Sequence, residues 1–273
     1  VVHNDVGDAS KQDSLTRHVW KATQATEWAA YRMADHLFTV TERLRNRALE
    51  MAPQVAPRSE VMPVSIDTEI FRTAPQRQED GILRVGYAGR LETVKDPELM
   101  FGVVAELARR LGGKVEFHYA GGSDPTRWPQ FAAIDRYTVR HGPLRTEDMA
   151  ALIRNIDVAL MTSHWEGMPC FMLEALSTGR PFVGPRLPQF GKVLLSDLHG
   201  RTVERGETVE ESAGRWADAV LALREELRAG RIDPDRLHEA VEPFSVRRQL
   251  GRLYAVHAGL ATGQQEELPA RAA

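Results

Sequence analysis

Cysteine and lysine are scarce in this chain, and each shortage excludes something. One cysteine, Cys170, in 273 residues leaves no internal disulfide and no cysteine-based zinc site, and it fits a reducing cytoplasm. Five lysines stand against thirty arginines, so a lysine on any given loop is a rare event. No stretch approaches the roughly 18 consecutive apolar residues of a membrane span, and no signal-peptide pattern opens these residues. The formal charge of −3 is too weak to argue for nucleic acid or a polybasic membrane anchor. The nine histidines carry no metal-ligand spacing. Also missing are G-x-G-x-x-G and the Walker A pattern, which argues against a dinucleotide enzyme or an ordinary nucleoside triphosphatase.

What remains is an ordinary globular composition, 42% apolar and 27% charged, with length for one large or two small domains. Val1-Val2-His3-Asn4-Asp5 reads as the end of a buried strand, and a strand without a lead-in suggests a chain missing its beginning. Residues 13–51 carry a long helical pattern broken near Ala34-Asp35-His36. There Leu37 to Val40 reads as a short strand, and Thr41 as the cap of a second helix running to Met51. Residues 52–80 hold four prolines and little periodicity, the look of a linker, with one short strand and turn expected over Val61 to Asp67.

From Ile82 the pattern becomes regular. Ile82 to Ala88 is an apolar run suited to a strand buried on both faces. Asp96-Pro97 gives an N-cap followed by proline at the first helical position, and Leu99 to Leu111 recur at helical spacing before Gly112-Gly113. Strands are expected at Val115–Ala120, Tyr137–Arg140, Asp157–Thr162, Pro181–Val183 and Gly200–Val203. Helices are expected at Thr146–Asn155, at Pro169–Thr178, and over residues 208–229, 234–241 and 245–262. Such alternation predicts an α/β fold, a parallel sheet covered on both faces. Its ligands sit beyond the carboxyl ends of the strands. The loops at 89–96, 121–128, 141–145 and 163–169 should therefore line one crevice.

Four groups on or near those loops could carry chemistry. Gly89-Arg90-Leu91-Glu92-Thr93-Val94-Lys95 puts two permanent cations at one strand end, the charge a diphosphate needs where no metal is present. Glu166 to Glu174 is an E-x7-E spacing across a loop–helix junction. With the helix starting near Pro169, free backbone N–H groups lie between the two acids, a ready anion site. Two glutamates eight apart are common, and by spacing alone the reading as a loop acid and a helix-surface acid wins. Ala120-Gly121-Gly122-Ser123-Asp124 is a small-residue loop that alone reads as a turn. His3 ends the opening strand, where a lone histidine is usually structural. Cys170 beside the anion site reads as an apolar filler, and Asp233-Pro234-Asp235 as capping rather than a metal pair. Arg43, Arg45 and Arg47 read as one solvated helix face, with a contact to anionic lipid as the alternative.

Together these segments resemble the family-4, or group 1, retaining glycosyltransferases of the GT-B fold, over about residues 35–262. Tyr87-Ala88-Gly89-Arg90-Leu91 with Lys95 is similar to the family's strand–Gly–Arg–Lys element. His141-Gly142-Pro143-Leu144 resembles a turn before the next helix. Asp157–Ser163, Glu166-Gly167-Met168-Pro169 and Leu173–Pro181 resemble its most specific stretch. Met62-Pro63-Val64-Ser65-Ile66-Asp67 with Phe71 resembles the interdomain linker, though Val64-Ser65 stands where Asn-Gly is usual. Leu187–Phe190 likewise replaces a Gly-rich turn.

The resemblance implies two facing Rossmann-like domains, of which this chain would hold one and a remnant of the other. Residues 1–51 would be the remnant on the acceptor side, 52–80 the linker and 81–244 the donor domain. Residues 245–262 would be a helix crossing back, and 263–273 a disordered tail. About 100 residues or more would precede His3 in a full domain. By the same resemblance, Arg90 and Lys95 would hold the donor diphosphate and Glu174 the ribose. Glu166, with the backbone of Gly167, Met168, Pro169 and Cys170, would bind the transferred sugar and β-phosphate. Arg140, His141, Gly142 and Leu144 would cover the base. His3 matches a cleft histidine, which with Glu166 makes the expected catalytic pair. The implied reaction is a metal-independent, configuration-retaining transfer without cofactor, from a nucleoside-diphosphate sugar to a hydroxyl on a glycan, lipid or small molecule. It would take place in the cytoplasm or peripherally at the inner membrane face. The rivals are a non-catalytic nucleotide-sugar-binding module and a GT-B epimerase acting on the sugar nucleotide.

Overall fold

The computed structural model describes residues 14–75, 79–188, 190–194 and 196–262, with the backbone alone for 14–23, 192 and 262. His3, the opening strand and the tail beyond residue 262 lie outside the described residues. The described chain divides into two compact units. One joins the residues up to Ser65 with those from Val246, and the other runs from Ile66 to Ser245.

The smaller unit is built from α1 (Ser14–Met33), β1 (Leu37–Thr39), α2 (Glu42–Met51), β2 (Ser59–Val61) and the late helix at Val246–Thr262. Thr41 caps α2 as its sequence position predicts, its hydroxyl accepting from Leu44 N at 3.3 Å. Two features differ from the sequence reading. The supposed linker contributes a 3-10 turn at Pro53–Arg58 and then β2, which pairs in parallel with β1 from Leu37↔Ser59 to Thr39↔Val61. Three residues are too few to show alternation, and Pro53, one of the prolines that read as linker, begins the turn instead. Arg45 is also not on a purely solvated face, because its Nε donates to the Ser59 carbonyl at 3.2 Å.

The larger unit opens with β3 (Leu83–Ala88), α3 (Pro97–Arg110), β4 (Val115–Ala120), β5 (Thr138–Gly142), α4 (Thr146–Arg154) and β6 (Val158–Leu160). It continues with α5 (Cys170–Ser177), β7 (Phe182–Pro185), β8 (Gly200–Val203), α6 (Val209–Arg228) and α7 (Pro234–Val241), before α8 (Val246–Thr262) returns the chain to the smaller unit. The strands form one parallel sheet in the order β5-β4-β3-β6-β7-β8. Between β4 and β5 the connection is three short 3-10 turns from Pro125 to Tyr137 rather than a crossover helix.

The middle of the sheet is dry on both faces, while β5 and β8 at its edges are partly exposed. Leu83, Val85, Val158, Ala159, Leu160, Phe182 and Val183 are fully buried, each large apolar side chain contributing about 1.5–3 kcal/mol on transfer from water. Phe101 of α3 meets Phe117 of β4 edge-on at 6.5 Å and Phe131 at 5.3 Å. Trp216 of α6 is fully buried, and its indole N–H is satisfied by the Met161 carbonyl at 3.0 Å. No helix of the described residues is long and apolar enough to cross a membrane.

The strand order locates the crevice. From β3 the chain winds outward through β4 to β5, and from β6 it winds the other way through β7 to β8. The order therefore switches between β3 and β6, and the loops after those two strands open on the same point.

Candidate active site

The loop after β3 is held open by glycines. Gly89 has φ 150°, and a Cβ there would lie 2.8 Å from the Tyr87 hydroxyl. Gly121, which the sequence marks only as a turn residue, packs closer still: a Cβ would fall 2.2 Å from the Gly89 carbonyl and 2.6 Å from the Tyr119 hydroxyl. The Tyr119 hydroxyl donates to the Gly89 carbonyl at 3.3 Å, and Leu91 N donates to Ser123 Oγ at 3.0 Å. The Ala120–Asp124 loop thus braces the cation loop, a role that sequence reading missed.

Lys95 and Glu166 meet at the switch point. The Lys95 ammonium donates to both carboxylate oxygens, at 2.7 and 2.8 Å. Glu166 keeps only 7% of its surface exposed and accepts a further hydrogen bond from the buried Ser163 hydroxyl. A buried carboxylate requires such partners. Nearby on β3, Tyr87 is held well above its usual pKa by burial and then by the Glu166 charge. Arg90 is differently placed: its side chain is 77% exposed and pairs with Glu92 at 2.9 Å.

Eight positions on, Glu174 lies in the second turn of α5 and is partly buried. Burial alone pushes its carboxyl up from 4.5 to about 7, and among the described residues no donor meets it. The helix begins one residue later than expected, with Pro169 as its cap and Cys170 first. Cys170 is exposed, its thiol raised by the protein packed around it and then by the Glu174 charge. Gly167 is partly buried, and Met168 and Pro169 are buried.

At the sheet edge, His141 Nε2 lies 3.1 Å from His118 Nδ1, and Glu116 meets the other nitrogen of His118 at 3.3 Å. Burial pushes both imidazoles below 6.5. Arg140 is committed to Asp135 at 2.7 Å and stacks over Phe131 at 4.7 Å. Gly142 takes a left-handed turn, φ 67°, and Leu144 is partly buried. Among the described residues no group of three or more His, Cys, Asp or Glu could hold a metal ion.

The Lys95–Glu166 pair, its carboxylate buried and its ammonium partly exposed, lies at the switch point of a parallel sheet beside a helix start flanked by two acids, an arrangement that can take an anionic ligand with hydroxyls. Comparison with known proteins gives the class. Residues 83–226 match the family described as glycosyl transferases group 1, and the chain belongs to that family. It is 28% identical to D-inositol 3-phosphate glycosyltransferase of Pseudarthrobacter chlorophenolicus over 200 residues, 66% of this chain and 44% of that protein. Among solved structures it resembles the pneumococcal O-GlcNAc transferase GtfA in complex with UDP and GlcNAc, with TM-score 0.70 and 17% identity over 86% of this chain and 47% of that one. It resembles HepE of Anabaena in complex with UDP and glucose, with TM-score 0.71 and 15% identity over 89% and 69%. The fold is accordingly the α/β, GT-B type expected from the sequence. The chain spans about half the length, 44%, of the curated relative.

Proposed function

We propose that residues 66–245 form the nucleotide-sugar-binding half of a retaining glycosyltransferase that works without a bound metal. The observation carrying this reading is the Lys95–Glu166 pair at the switch point, with the α5 start and Glu174 beside it. Lys95, with Arg90 as an outer cation, holds the donor diphosphate and neutralises the charge that grows as it leaves. The first-turn N–H groups of α5 add to that, and the Glu174 carboxylate accepts the ribose hydroxyls. Glu166 orients the sugar hydroxyls once Lys95 turns to phosphate. The bond from the anomeric carbon to the phosphate oxygen breaks, and the acceptor oxygen bonds to that carbon on the same face. The acceptor proton passes to the departing phosphate oxygen. Support for a nucleotide-sugar donor comes from GtfA and HepE, whose structures hold UDP with GlcNAc and with glucose. The base is assigned to the His141–Leu144 turn with Arg140. His3 is assigned by resemblance to the sugar side.

Titration calorimetry with UDP, GDP and the corresponding nucleosides tests the reading. Lys95→Ala should weaken binding of the diphosphate by about 1.5–3 kcal/mol, the range for hydrogen bonds to charged groups. Arg90→Ala should weaken it less, because its guanidinium is solvated. Nucleoside binding should barely change in either variant. Equal losses for diphosphate and nucleoside would overturn the assignment. Diphosphate binding with no transfer to any acceptor by the longest natural form of the protein would favour a non-catalytic binding module.

A further inference from the structure

Lys95 reaches Glu166 from an unusual piece of backbone. The residue after it, Asp96, is the only non-glycine residue with positive φ among those described, at 49°. L-residues adopt that conformation at a cost, aspartate less than most, and it persists where surrounding bonds over-determine it. Three elements supply those bonds. The Asp96 carboxylate accepts from Leu99 N at 3.1 Å, capping α3. The fully buried Thr162, just past β6, donates its hydroxyl toward the Lys95 and Asp96 carbonyls, each at 3.0 Å. From the loop between β8 and α6, Arg205 Nη1 reaches Asp96 Oδ2 at 2.5 Å while its Nη2 donates to the Thr162 carbonyl. The guanidinium carbon of Arg205 lies 6.0 Å from the Trp216 ring centre, and that ring is itself fixed to Met161.

One planar fork therefore ties the strained turn carrying Lys95 to the end of β6, the strand that leads into Glu166. We propose that Arg205 is a positioning residue for Lys95. By clamping Asp96 to the Thr162 carbonyl, it holds the left-handed turn that presents the Lys95 ammonium to the crevice. Arg205 does not itself touch the phosphates. The bidentate geometry requires arginine, since a lysine has one ammonium for two acceptors that diverge. This inference rests on the reading of Lys95 as a diphosphate ligand, and its test separates the two.

Two measurements on the same variants decide it. Amide hydrogen exchange is followed in the peptide covering residues 92–100, and UDP and uridine are titrated into wild type, Arg205→Met, Arg205→Lys, Lys95→Met and the Arg205→Met/Lys95→Met double variant. Methionine keeps an apolar stem near Trp216 and loses both hydrogen bonds. Exchange at 92–100 should quicken in Arg205→Met, while the peptide covering β4 stays protected. UDP should bind about tenfold more weakly, with uridine unchanged within about twofold, and Arg205→Lys should recover only part of the loss. In the Lys95→Met background, removing Arg205 should cost less than about twofold more, because the two residues act as one unit. Unchanged exchange in Arg205→Met overturns the proposal. So does a loss of UDP binding that is equally large with and without Lys95, since that marks a direct and independent phosphate contact. If the wild type takes up neither UDP nor GDP, the donor reading fails, and the exchange result alone decides whether Arg205 holds the turn.

Discussion

Glu174 allows a prediction whose sign is opposite for stability and for binding. Its carboxyl titrates near 4.5 in the unfolded chain and near 7 in the folded one, raised by burial. Between those values the native state binds the proton more tightly than the unfolded state. Stability therefore falls as pH rises from about 4.5 to about 7, and the loss is complete above the folded pKa. At about 1.36 kcal/mol for each pH unit, the difference amounts to about 3 kcal/mol. Glu174→Gln removes the ionisation and keeps the shape, so it should stabilise the larger unit by that amount at pH 8.5. For a domain of this size the gain corresponds to about 6–12 °C in Tm. At pH 5 the gain should shrink to about a quarter. Scanning calorimetry of both proteins at the two pH values measures it. Binding should run the other way: if the carboxylate accepts ribose hydroxyls, UDP affinity in the wild type rises with pH through about 7 and stays flat in Glu174→Gln. A stability gain equal at both pH values, or a Gln variant less stable than wild type at pH 8.5, would refute the argument, because either shows that Glu174 has a partner favouring its charged form.

Three further outcomes are expected. Gly121→Ala places a methyl 2.2 Å from the Gly89 carbonyl, so it should destabilise by about 1–3 kcal/mol and weaken UDP binding; an unchanged Tm would show that the two loops move apart freely. His118 and His141 are pushed below 6.5 by burial, so the unfolded state takes their protons first and they lower stability as pH falls from about 6.5 through their folded values. A double His118→Gln/His141→Gln variant should flatten that acid slope in urea titrations, and an identical slope counts against the buried pair. Chelation with EDTA should leave UDP binding intact, whereas binding abolished by EDTA and restored by magnesium or manganese would mean a different kind of site.

What was legible in the sequence is what depends on near neighbours along the chain. The Asp96-Pro97 cap, the Thr41 cap and the start of α5 beside an E-x7-E spacing are local patterns, and each forms within a residue of where it reads. The open sheet follows from alternating strand and helix, and its switch point brings the loops after β3 and β6 together. β2 was read too late along the chain, from Val61, for a physical reason: three residues pairing with β1 across a proline-rich turn leave no periodicity to fix its bounds. The site was read less well where meaning lies in a distant partner. Arg90 and Lys95 look equivalent by position, yet Lys95 faces a buried carboxylate 71 residues away and Arg90 pairs with its exposed neighbour Glu92. Gly121 looks like any turn glycine until the Gly89 carbonyl is found against it. Arg205 is one of thirty arginines, and its hydrogen bond to Asp96 spans 109 residues. The scarcity of lysine marked out Lys95, whereas the abundance of arginine hid Arg205. In such a composition a rare residue type carries information by itself, and a common one acquires it only through the geometry of its partners.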